Sequence, residues 1–125
     1  MADKGAVKQF VLDYIQTVPN NDVSSQERFF AQRVNFYGEG ILSPQRVRAS
    51  NERYRREWPN REWQPQGGAK ILYSANSMQY EVFQPFTWKV SNGIKHAEGK
   101  ATLYLSIRKN TKGEFHIVRV QYHGP

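Results

Sequence analysis

The chain has no cysteine among its 125 residues. That excludes disulfides, thiolate metal sites and a cysteine nucleophile, and it leaves the redox compartment open. No run of about 18 apolar residues occurs, so no segment of the sequence qualifies as a membrane-crossing helix. The first residues, MADKGAVKQF, lack the apolar core of a signal peptide. A cytoplasmic chain is the default expectation, or a periplasmic one if a leader or parent chain has been removed. Acid is scarce: 11 Asp and Glu stand against 18 Lys and Arg, a net charge of +7. Also missing are G-x-G-x-x-G, a Walker loop, G-x-S-x-G and H-E-x-x-H.

What is present fits one domain. A chain of this length can bury roughly two-thirds of its unfolded surface, so a single core forms without staples. Aromatic residues reach 14%, which implies a large aromatic core or an aromatic-lined cavity. The pI near 9.8 favours acidic partners. The lysines, however, are scattered singly and no basic tail exists, which argues for a solvated basic surface over nucleic-acid binding.

Periodicity orders the chain. Val7, Phe10, Val11, Tyr14, Ile15 and Val18 form one apolar helical stripe over 3–18. Pro19 and Asn20-Asn21 end it. A short helix begins near Ser24, with Glu27 at capping-box spacing and Phe29 and Phe30 as buried residues. Arg33 to Gly38 has strand character, and Gly38 and Gly40 break it. Ser43 is an N-cap and Pro44 a first helical residue for a third helix, ended by Pro59. Val47, Tyr54 and Trp58 mark its inner face. From Arg61 the period becomes two. Strands are expected at 71–73, at 78–90 with a bulge or bend at Phe83-Gln84-Pro85, at 101–107 and at 115–123. Asn92-Gly93 predicts a type I′ hairpin between Ser91 and Ile94. Asn110 to Gly113 predicts another turn. The order gives an α+β domain over 1–125: a bent antiparallel sheet of 5–6 strands with three helices from the first half.

Within it, SPQRVRASNERYRREWPNREW (43–63) carries six arginines against three glutamates, with two tryptophans and a tyrosine among them. Arg46, Arg53, Arg56 and Arg61 are either solvated and paired, Glu52 with Arg56 in the favourable i, i+4 order, or part of a binding surface. In that second case Arg55 or Arg61 stacks beside Trp58 and Trp63 and holds a carboxylate or phosphate. His96, His116 and His123 fall on strands. His116 and His123 are seven apart and so face opposite sides of a regular strand. No acid stands where it would complete a metal triad, so neither a metal nor a cofactor is expected.

The segments LDYIQTVPNND, RFFAQRVNFYGEG and SPQRVRASNERYRREWP resemble the first helix and its exit, the short helix with the first strand, and the third helix of the NTF2-like (SnoaL-like) superfamily. The resemblance spans essentially the whole chain and implies a cone-shaped α+β domain. VNFYGEG with RYRREWPNREW is also similar to NTF2-like accessory domains attached to larger bacterial proteins, some beside caspase-like peptidase domains. Enzymes of the superfamily, among them isomerases, dehydratases and cyclases, place a carboxylate or histidine inside the cone. Against the ketosteroid-isomerase-like pattern, Tyr14 matches the tyrosine donor. The base position falls on Gly38, with Glu39 one residue later, and no aspartate on the later strands supplies a second donor. Tyr14 is therefore either that donor or a core residue, and Glu39 either a pocket carboxylate or a solvated turn acid.

The resemblance implies a non-catalytic ligand-binding or accessory domain, its cone lined by Tyr14, Phe36, Tyr37, Tyr54, Trp58 and Trp88. It would take a small apolar or acidic ligand, with Arg55 and Arg61 as anion-binding candidates. The alternative is a small isomerase-, dehydratase- or cyclase-type enzyme acting on an apolar carbonyl compound, with Glu39 as base and Tyr14 as donor. Superfamily members pair through their sheets, which implies a homodimer or packing on a parent domain through the face bearing Thr102, Tyr104 and Ser106.

Overall fold

The structure, a computed structural model, describes residues 3–19 and 24–124. Helix α1 (Lys4–Gln16) starts where the Asp3 carboxylate accepts from the Ala6 amide, which satisfies an otherwise orphaned N–H. Its buried face is Val7, Val11, Tyr14 and Ile15. The helix stops at Thr17, two residues before Pro19; the Asn20-Asn21 stop lies outside the described residues. Helix α2 (Ser24–Glu27) is one turn, and the Ser24 side chain of its expected capping box also lies outside them. Strand β1 (Phe30–Phe36) begins three residues earlier than its apolar pattern implies. The backbone of Phe29 already accepts from the Ile117 amide, so pairing with the last strand starts the extended chain there.

Strand β2 (Ile41–Leu42) pairs with β1 across a tight turn and leads into α3 (Pro44–Glu57). Ser43 caps α3 by accepting from Arg46. There follow β3 (Asn60–Pro65), β4 (Lys70–Ser74), β5 (Gln79–Ser91), β6 (His96–Lys109) and β7 (Phe115–His123). Among the described residues the sheet has seven strands in the order β2-β1-β7-β6-β5-β3, with β4 also on β5. That exceeds the expected 5–6. The sheet is also mixed, because β1 runs parallel to β7. The long chain between them, through α3 and five strands, supplies the crossover that a parallel pair needs.

Local chemistry explains three further departures. The Pro85 region is not a bulge toward β6, since the β5–β6 register runs unbroken from Gln79 to Ser91. The Pro85 carbonyl accepts from Gln66 on the other side of β5. The missing N–H of Pro85 therefore also faces that side, where β5 changes partner from β4 to β3. The Asn92-Gly93 hairpin has a four-residue loop, with Ser91 opposite His96. The Asn92 side-chain oxygen accepts from both Ile94 and Lys95, which stabilises the wider turn. Finally, His116 and His123 share one face. Ser106 pairs with Arg119 while Ile107 pairs with Ile117, so Val118 is an extra residue that reverses the alternation.

The core lies between the helices and the inner face of the sheet. Val82, Phe86, Leu103, Leu105, Ile107, Ile117 and Val120 are fully buried there, which at roughly 25 cal/mol per Å² of apolar surface supplies the main stabilising term. Among the described residues no helix is long and apolar enough to cross a membrane.

Candidate functional site

A cavity of about 200 Å³ opens between α1, α3, the β1–β2 turn and the sheet. Its construction begins at Tyr37. Phe36 accepts from the Glu39 amide across the turn, and both central residues, Tyr37 (φ 45) and Gly38 (φ 76), are left-handed. Glycine adopts that conformation freely, but tyrosine does so at a cost of roughly 1–3 kcal/mol. The strained backbone directs the Tyr37 ring against Phe36 (4.7 Å between centroids) and Tyr122 (5.2 Å). Its hydroxyl lies 3.4 Å from that of Tyr14.

Helix α3 forms a second wall. Ser50, Asn51, Tyr54 and Arg55 all line the cavity, since i, i+1, i+4 and i+5 share one helical face. Strand β3 contributes Arg61 and Trp63, and β7 contributes Tyr122. Trp63 stacks on Phe86 at 4.6 Å, which fixes the indole between the cavity and the core.

The polar groups fall into three sets. The first is the tyrosine pair. Burial pushes the Tyr14 hydroxyl up to about 12, opposed by its hydrogen bond with Tyr37. Burial also raises Tyr37 well above the ordinary tyrosine range, reinforced by Tyr14. Both are neutral phenols at physiological pH, and whichever donates to the other, one O–H remains to be given. Tyr54 is raised by burial as well, with the nearby Trp63 indole partly offsetting the effect.

The second set is acidic. Glu39 lines the cavity with a side chain 42% exposed. Its two oxygens are engaged, one accepting from Ser50 at 3.1 Å and the other 3.6 Å from the Arg53 guanidinium.

The third is basic. Arg61 is only 6% exposed. It is not a solvated arginine: it donates to the carbonyls of Val18 (2.9 Å), Trp58 (2.8 Å) and Pro59 (3.3 Å). These contacts tie the exits of α1 and α3 to β3. Burial lowers its proton affinity and Arg55 lowers it further, against the opposing effect of Tyr54. Arg55 itself lines the cavity.

Of the residues expected to bind ligand, Tyr14, Phe36, Tyr37 and Tyr54 therefore meet at one cavity, with Glu39, Arg55 and Arg61. Trp58 and Trp88 do not join them. They line a separate depression of about 190 Å³, on the other side of Tyr54, Trp63 and Tyr122. Trp63 was expected only as a stacking partner for Arg55 or Arg61, while Tyr122 and Asn51 were not expected at the site. For Trp63 and Tyr122 a signal existed, since each is an aromatic on an alternating strand. Asn51 is the buried side-chain group without a partner among the described residues, through its Nδ2. The other arginines of α3 sit differently from the expected pairing. The described ion pairs are Arg48–Glu27, Arg53–Glu39 and Lys89–Glu98, with Glu52–Arg56 not among them. The described residues hold no cluster of three His, Cys, Asp or Glu that could bind a metal.

The chain superposes on an NTF2-like superfamily protein of Salmonella enterica serovar Typhimurium with a TM-score of 0.84 and 12% identity, over 98% of this chain and 90% of that one. The fold is NTF2-like. ActVI-ORFA of Streptomyces coelicolor matches with a TM-score of 0.78 and 10% identity, over 95% of each chain. Bdellovibrio bacteriovorus Bd1075 matches with a TM-score of 0.76 and 11% identity, over 98% of this chain but 41% of that one. No family model matches the sequence, and no curated relative does. At these identities the shared property is the NTF2-like fold, and function is argued from the cavity.

Proposed function

We propose that this NTF2-like domain binds a small, single-ring ligand in the Tyr14–Tyr37 cavity without transforming it. The observation that carries this reading is the tyrosine pair at 3.4 Å, one of its hydrogens unspent, on the wall of an aromatic cavity. A void of about 150 Å³ accepts benzene, so about 200 Å³ suits one ring with a polar substituent. Backbone strain at Tyr37 supports the same reading, because strain concentrated at a site points to a requirement on that side chain. On this reading the domain serves as an accessory module, and its outer sheet face packs on a second copy or a parent domain. Bd1075 supports the accessory role in one respect, since the matching fold is under half of that longer chain. The outer face offers the Phe83–Tyr104 ring pair at 4.9 Å and the half-exposed Leu72.

Titration calorimetry with benzamide and acetophenone tests the binding reading. Saturable binding is expected for the native protein, with a several-fold loss in Tyr37→Phe. Heats no different from buffer dilution with both compounds would contradict it.

A second reading has one observation in its favour: Glu39 lines the same cavity as Tyr14. That is the arrangement a carboxylate base and a phenol donor need for proton transfer beside a carbonyl. The prior engagement of both Glu39 oxygens favours binding over catalysis. The discriminating experiment is deuterium exchange at the α-carbon of a cavity-binding ketone. The binding reading predicts exchange at the solution rate. Acceleration that disappears in Glu39→Gln would establish the enzyme instead.

A further inference from the structure

We infer that the ligand is a single-ring carboxylic acid, held as its carboxylate by Arg55 and Asn51. The inference deepens the binding reading above and rests on it.

Two donor groups at this cavity, on Arg55 and Asn51, have no acceptor among the described residues. Arg55 has no hydrogen bond or ion pair among the described residues. It is nevertheless half-buried on the cavity wall. One helical turn earlier, the Asn51 amide nitrogen is buried and unpartnered. An unmet buried donor is costly, and the broad terminal torsion of asparagine lets the amide turn toward a ligand. The spare hydrogen of the Tyr14–Tyr37 pair is a third donor. Arg55, Asn51 and a tyrosine together match an ionised carboxyl group, whose two oxygens accept about four hydrogen bonds.

Charge points the same way. Glu39, the acid lining the cavity, is already paired with Arg53 at 3.6 Å. Arg61 is spent on backbone carbonyls, but its positive charge still acts on the cavity. The Arg55 charge disfavours the neighbouring Arg61 cation, so an anion beside Arg55 would relieve both. A neutral carbonyl compound would satisfy the tyrosine and leave Arg55 without a counter-charge. The apolar part of the wall is Val18, Phe36, Trp63 and the rings of Tyr37, Tyr54 and Tyr122, with Gln26 and Ser50 as further polar groups. That apolar part suits an aromatic ring, and a free inorganic anion would leave it empty.

The test is calorimetry on the full chain at constant ionic strength with benzoate, benzamide and benzyl alcohol. The native protein is expected to bind benzoate at least tenfold more tightly than benzamide. Arg55→Gln should abolish that preference while benzamide binding persists, and Arg55→Lys should restore part of it. Asn51→Leu should weaken benzoate several-fold. Arg56→Gln, an exposed neighbour off the cavity wall, should change nothing, which separates the site from general surface charge. Equal affinity for benzoate and benzamide would overturn the carboxylate assignment and leave the cavity reading standing. Undetectable binding of all three by a protein whose melt is normal would overturn both.

Discussion

At the residue scale, the buried phenols make the domain sensitive to alkali. Tyr14 ionises near 10 when unfolded and at about 12 when folded. Its folded value is the higher, so the unfolded chain releases the proton first. The associated stability is complete below pH 10 and is lost as pH rises from 10 toward 12. A gap of about two units corresponds to roughly 3 kcal/mol. Urea midpoints should therefore fall steeply across that window, with Tyr37 adding in the same direction. Tyr14→Phe should flatten the slope by about one proton, and a slope unchanged by Tyr14→Phe would contradict the assignment. Arg61 makes a second residue-scale prediction. Arg61→Ala removes the donor to three carbonyls at the junction of α1, α3 and β3. It should cost about 3 kcal/mol, read as a drop in Tm of roughly ten degrees or more. Arg61→Lys should not recover it, because a single ammonium cannot span the three acceptors. The burial of Tyr14 was legible from its place in the apolar stripe of α1, but that of Arg61 was not. Arg61 stands in a run of arginines that pattern alone assigns to solvent, and its burial depends on the loop that follows α1. Asn51 is equally silent, since an asparagine inside a polar helix looks solvated until the opposite wall is known.

At the element scale, β5 and β6 cross at Trp88 and Gly99, which are paired residues. A Cβ on Gly99 would lie 2.8 Å from the Trp88 ring. The glycine is thus required by the close approach of the indole. Gly99→Ala should force the ring toward the neighbouring depression, shift the tryptophan emission and lower Tm by a few degrees. An unchanged spectrum would mean that the ring does not sit over the glycine. Helix α1 and the inner sides of β5 and β6 were legible for a simple reason. Each buries one face, and burying one face imposes a 3.6 or 2.0 period. The extra Val118 was not legible, because a bulge leaves both neighbouring runs apolar and only the cross-strand register reveals it. Pro85 signalled an interruption correctly, but of the outer partner strand and not of the ladder with β6.

At the scale of the whole molecule, the parallel β1–β7 contact joins the first strand to the last. No local pattern encodes such a pairing. It is set by closing the sheet around α1 and α3, and the cavity exists because of it: Tyr37 and Tyr122 are brought to 5.2 Å from opposite ends of the chain. Four of the six aromatic residues expected in the site meet there, since their elements were read correctly; Trp58 and Trp88 fell on the far side of a wall formed by Trp63 and Tyr122. The outer sheet face predicts assembly. Glu81 there accepts from Tyr104 (2.6 Å) and Ser106 (2.5 Å), leaving a satisfied polar centre beside Phe83 and Leu72. Sedimentation velocity should give the mass of a dimer, and Leu72→Arg should shift it to a monomer. A monomer at high micromolar concentration in the native protein would leave the parent-domain alternative in its place.

An amide and side-chain NMR titration with benzoate tests carboxylate binding in the cavity most directly. Benzoate bound in the Tyr14–Tyr37 cavity should give saturable shifts at Tyr14, Tyr37, Asn51, Arg55 and Tyr122, with the Trp58 and Trp88 indoles little changed. Shifts confined to the Trp88 depression or to the outer sheet face, with the Tyr14 and Tyr37 signals still, would contradict it.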